Sequence, residues 1–178
     1  MLFKWRAQKR RNEAIVDALY AAVTDWARQP KLYEDGGVPD TVMGRFEALA
    51  IAMYLFLRRC RDDARLAPLA QDVVDRFVTD MDHSLREIGI GYQAVPKRMR
   101  KLAGRFYERV SAYDGAMEGG QDAKAALGEA LAGRAIDENA PEDVRLRLAD
   151  HMLVEAGRLS AVPSDHILSG RLKEDEAR

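Results

Sequence analysis

Hydrophobic residues recur along this chain at steps of three and four, the spacing of helices that pack by one face. The clearest run is Val95, Met99, Leu102, Phe106, Val110, Tyr113 and Met117. At 100° per residue these positions fall within about 80° of arc, and they predict a helix from Pro96 to about 117. A second run, Leu69, Val73, Phe77, Met81, Leu85 and Ile88, predicts a helix over about 64–87. Pro68 fits only in its first turn, where no N–H partner is lost. Gly89 suits the left-handed cap at its end, and Gly89-Ile90-Gly91 makes the connection to Pro96 a mobile or sharply bent hinge. Val42, Phe46, Leu49, Met53, Phe56 and Leu57 predict a helix ending near 61, opened by Pro39-Asp40-Thr41, where Asp40 or Thr41 can cap free N–H groups. Ile15, Leu19, Ala22, Val23 and Trp26 predict an earlier one over 12–28, with Pro30 just beyond its end and a loop at Gly36-Gly37. Weaker signals predict helices over 122–135 and 141–160, and a short last one over 165–172. No alternation demands a strand. The expected fold is all-α, a single globular bundle of about six or seven helices.

Composition narrows the class. With 178 residues the chain suits one domain. We assign it to 12–172, after a basic amphipathic segment at 1–11 and before a disordered tail at 173–178. Hydrophobic residues make up 47% and charged residues 32%, as in ordinary globular proteins. One cysteine excludes an internal disulfide framework and a cysteine-based zinc cluster, and three histidines leave little for metal chemistry. No glycine-rich phosphate loop is present. The expectation is no metal and no cofactor. The most apolar stretch, 48–57, is about ten residues, half of what a membrane span needs. The first residues do not read as a secretory signal.

Charge changes the picture more. The net charge of −1 averages over unlike segments. Lys4, Arg6, Lys9, Arg10 and Arg11 stand near the N-terminus without an acid. Interleaved with them, Phe3 and Trp5 make Phe3, Lys4, Trp5 and Arg6 a candidate membrane-surface contact; the plain alternative is a frayed first turn. A second basic cluster, Lys97, Arg98, Arg100, Lys101, Arg105 and Arg109, lies around the 96–117 stripe. It admits three readings: a solvated face, a docking face for an acidic partner or anionic membrane surface, and, last, a nucleic-acid site, which the acidic remainder of the chain argues against.

Candidate chemistry is sparse. Cys60 lies between Arg59 and Arg61, which could depress its pKa, or is a small core residue. Asp80, His83 and Glu87 share one helix but have no second copy to form a di-metal site. Asp82 and Arg86 are spaced to pair. Arg45 and Glu47 cannot pair with each other. If buried they need partners elsewhere: Asp80 or Glu87 for Arg45, Arg86 for Glu47. If exposed they need none.

Three runs then stand out. Tyr33-Glu-Asp-Gly-Gly-Val-Pro-Asp-Thr-Val-Met-Gly-Arg-Phe-Glu47 comes first. Phe77-Val-Thr-Asp-Met-Asp-His-Ser-Leu-Arg-Glu-Ile-Gly-Ile-Gly91 follows, and then Val95-Pro-Lys-Arg-Met with Phe106-Tyr107 and Tyr113. In order and spacing they resemble the motifs of the ubiquinol–cytochrome c chaperones, over about 33–117. The sequence departs from that pattern at Ile51-Ala52, Tyr92-Gln93 and Glu108. The resemblance implies a non-enzymatic assembly factor for respiratory complex III whose client is cytochrome b. It would act in the cytoplasm at the inner membrane, with room for a small partner protein and no role for nucleic acid. Candidate client-binding residues are Lys97, Arg98, Lys101, Arg105, Tyr107 and Arg109. Asp40, Arg45, Glu47, Asp80, Asp82, Arg86 and Glu87 are motif charges, and Gly89, Gly91 and Pro96 the hinge. The competing reading is a helical ligand-binding or enzymatic domain, with Arg45, Glu47, Asp80, Arg86 and Glu87 converging in a cleft.

Overall fold

A computed structural model describes residues 2–172, without the side chains of 2–5, 7, 8 and 121. Its helices are α1 (Leu2–Ala27), α2 (Pro30–Glu34), α3 (Val42–Arg61), α4 (Ala67–Glu87), α5 (Val95–Met117), α6 (Ala123–Leu131), α7 (Glu142–Ala161) and α8 (Ser164–Leu168). Short 3-10 turns at Ala64–Leu66 and Gly120–Asp122 lead into α4 and α6. Among the described residues the only extended pairing is an isolated bridge between Ala132 and Ile136. The all-α expectation stands.

α3 is the centre of the molecule. From Phe46 to Phe56 every residue is buried, because α1, α4, α5 and α7 all pack against it. A helix apolar on all sides is one with no solvent face. Ala48, Ala50 and Ala52 let those neighbours approach closely. Thr41 caps its start by accepting from the Gly44 N–H at 3.1 Å. Gly44 is required there: a Cβ would stand 1.8 Å from the Pro39 carbonyl oxygen. The sequence stripe placed Val42 inward, but it lies beyond this enclosure and is 62% exposed.

α1 starts at Leu2, not near residue 12. Lys, Arg, Gln and Ala favour helix, so the charged stretch continues the helix. α2 is a five-residue helix in a segment expected as loop, with Pro30 in its first turn and Leu32 buried. α6 stops at Leu131 because Ala132 is extended. α1 and α4 run in the same direction: Arg76 Nε donates to Asp17 at 3.1 Å and, three residues on in α1 and four in α4, Tyr20 Oη donates to Asp80 at 2.8 Å. α4 and α5 touch at Phe77 and Phe106, with ring centroids 5.3 Å apart.

The chain closes on its beginning. Leu172 is buried beside Ala22, Val23 and Trp26 of α1 and Phe56 of α3. Arg158 holds it there, donating to the Leu172 carbonyl at 2.5 Å while pairing with the buried Glu155. Among the described residues no helix is long and apolar enough to cross a membrane, and no group of three or more His, Cys, Asp or Glu could hold a metal ion.

Candidate functional site

The Phe77–Phe106 contact is where α4 and α5 meet. Toward the loop joining them, a groove of about 1300 Å³ opens between the first turns of α5 and the ends of α1, α2 and α4, with the start of α3 as its base. Five elements build it. Gly89, in the left-handed region at φ 85°, ends α4, and Pro96 sits in the first turn of α5. Gly91 has a negative φ and open space around it.

Its floor is apolar. Phe46, Leu49 and Leu85 are buried, and Met81 and Leu102 partly so. At its mouth Val42, Met43 and Ile88 stay 62%, 38% and 55% exposed. Large apolar residues held at the surface in one place mark a surface that meets something. One wall is basic: Lys97, Arg98, Lys101 and Arg105 all line it from α5. None of the four side chains has a hydrogen bond or ion pair to another described residue. Of the three acids in the lining, Glu34, Asp40 and Asp80, the last two are paired. Arg45 Nε donates to Asp40 at 2.7 Å, which holds the Asp40 carboxyl below its usual range. Asp80 accepts from Tyr20 and lies 3.7 Å from Arg76. No histidine or cysteine lines the groove.

Other sequence candidates go elsewhere. Arg109 does not join the basic wall. On α5 it lies next to the apolar stripe, and its side chain, 12% exposed, turns inward to Glu47, itself 4% exposed. Two guanidinium nitrogens donate to the two Glu47 oxygens at 3.0 and 2.9 Å, a forked pair. Arg109 also pairs with Glu108, which in turn binds Arg134 at 2.7 Å. The expected partners were therefore misplaced: Arg45 takes neither Asp80 nor Glu87, and Glu47 does not take Arg86. Arg86 pairs with Asp82 at 2.7 Å, as its spacing predicts, and lies over the Tyr92 ring at 5.0 Å. Glu87 is exposed. Only Arg45 and Asp80 of the five proposed cleft charges line the groove. Tyr107 is 70% exposed and lies outside it. Arg6 is exposed on α1, while the side chains of Phe3, Lys4 and Trp5 fall outside the described residues. Cys60 is buried, and burial pushes its thiol up to about 12, against the opposing pull of Arg59. A depressed pKa between two arginines is thus not what the fold produces.

Sequence reasoning missed the floor and mouth: Val42, Met43, Met81, Leu85 and Ile88 were read only as stripe positions or not at all. The available signal was Ile88, an apolar residue one place before the glycine that ends its helix.

A family model described as ubiquinol–cytochrome C chaperone matches residues 34–174. A solved structure, the crystal structure of the Cbp3 homolog from Brucella abortus, is similar with a TM-score of 0.84 and 36% sequence identity, over 99% of this chain and 97% of that one. No curated protein matches. Apart from Tyr33, the motif runs that line the groove lie within the matched residues, and the similar structure extends beyond them over nearly the whole fold. The chain belongs to the ubiquinol–cytochrome C chaperone family.

Proposed function

We propose that this chain is a non-enzymatic assembly chaperone for ubiquinol–cytochrome c reductase, complex III, and that it holds newly made cytochrome b through the groove. The observation that carries this is the combination of an open apolar floor with four unpaired cations, Lys97, Arg98, Lys101 and Arg105, on one wall. Such a surface binds a segment that has left the ribosome and has not yet found its neighbours. It offers area and charge and needs no reacting group. The protein would work in the cytoplasm against the inner membrane, with Phe3, Lys4, Trp5 and Arg6 as a weak, reversible surface contact. About 27 Å of α1 separates Arg6 from Thr24 at the groove.

Affinity capture of the tagged chain from solubilised membranes tests the reading. Cytochrome b should co-purify. Reversing Lys97, Arg98 and Lys101 to Glu should reduce its recovery roughly tenfold or more, a change that needs only about 1.4 kcal/mol, and should lower complex III in cells. Normal complex III in a strain lacking the protein would overturn it.

A further inference from the structure

We propose that the occupant of the groove is an acidic amphipathic helix of about three turns, and not a membrane-spanning one. This rests on the chaperone reading and specifies the chemistry of the client segment.

Lys97, Lys101 and Arg105 recur every four residues, so their charges rise along α5 in steps of about 6 Å. With Arg98 they occupy about 100° of the helix surface at 100° per residue, beside the apolar stripe. The result is a slanted basic row that rises about 12 Å along α5, beside the groove's apolar floor. A helix about 10 Å wide that fills 1300 Å³ is about 17 Å long, or three turns. The length of the row and the capacity of the groove agree.

Of the three acids that line the groove, Asp40 is held by Arg45 and Asp80 by Tyr20 and Arg76, which leaves Glu34 alone, with Arg28 also in the lining, against four cations, so the groove cannot neutralise the row itself. The counter-charges must come with the occupant. A membrane span is about 20 apolar residues with few or no charges; seated here, it would strip water from four cations and return nothing, which is unfavourable. A helix with Asp or Glu at i, i+4 and i+8 on one flank meets the row step for step while its apolar face covers the floor. Met81 in that floor and Met43 at the mouth let the groove adapt to different side chains. A phospholipid fits less well, since its single headgroup answers one end of the row.

The test uses the full chain and fluorescent synthetic peptides of one apolar stripe, carrying Glu, Gln or Lys at i, i+4 and i+8. The Glu peptide should bind at least about tenfold tighter than the Gln peptide, with the Lys peptide weaker still. Lys101→Glu should weaken the Glu peptide and strengthen a peptide in which the matching Glu is Lys, so a gain accompanies the loss and misfolding cannot imitate it. Equal affinity for the Glu and Gln peptides would overturn the proposal. So would vesicles of phosphatidylglycerol and phosphatidylcholine binding the chain through Lys101 while no peptide does, which assigns the row to lipid. If the peptides fail and cytochrome b still co-purifies, the helix proposal falls and the chaperone reading survives. Loss of both would remove the chaperone reading too.

Discussion

Glu47 and Arg109 show how much one pair of residues can decide. They are 62 positions apart in the chain, on the central helix and on the helix that carries the basic wall. A carboxylate this enclosed is tolerable only with a forked guanidinium on it. Glu47→Ala should destabilise the fold by about 3 kcal/mol, because it strands Arg109 beside the core. Replacing both residues by Leu and Met should restore most of that loss. Denaturant midpoints of the three variants check this. Cys60 gives a second test at the same scale. Its thiol, raised to about 12 and walled off, should resist alkylation at neutral pH in the folded protein and react quickly once denaturant opens the fold. Fast labelling of native protein would contradict the burial. The Glu47 pairing was not legible in the sequence, whereas the small core residue was one of the two readings the sequence offered for Cys60. Periodicity tells which face of a helix is inward, and not which residue of another helix stands opposite it.

Helices were far more legible, for a physical reason that differs from one to the next. α4 and α5 were readable almost to their ends because each carries a long stripe, a proline in its first turn and a glycine or a charge beyond. α2 escaped because five residues contain too little of a turn pattern to be seen beside Pro30 and Gly36-Gly37. The first turns of α1 escaped because they are helical by propensity and carry no stripe. The groove's basic wall was legible, since its residues share one helix. Its floor was not, since Phe46, Met81 and Leu102 come from three. The connection after α4 permits a sharp prediction. Gly89 is held at φ 85°, whereas Gly91 has a negative φ and nothing crowding it. Gly89→Ala should cost about 1 kcal/mol, and Gly91→Ala should cost nothing or slightly stabilise. Thermal melts of the two variants separate them, and equal losses would mean that the pair acts as one hinge.

For the whole molecule, the carboxylates of Asp40, Asp82, Glu108, Asp114, Asp143 and Asp150 are each held below their ordinary range, in every case first by a hydrogen bond from Arg or Lys. Asp114 is the most embedded, gripped by Arg61 and Tyr54. A carboxylate depressed in the folded state stabilises above its unfolded pKa, and loses that contribution as pH falls through its folded one. Burial also depresses His151, so its loss has the same sign but begins near 6.5. Thermal stability should therefore be flat from pH 8 to about 7, sag slightly below 6.5 and fall steeply below about 4. Asp114→Asn should flatten the steep part while lowering stability at pH 7. A melting temperature that rises on acidification would contradict the arrangement. One feature bears on time, not energy. Leu172 completes the packing around Trp26, so the two must coexist before the core can shut. At cellular translation rates roughly ten to thirty seconds pass between their syntheses. For that interval the apolar side of α1 emerges without its last cover, and this member of a chaperone family is itself, during its own synthesis, an unfinished chain in need of shelter.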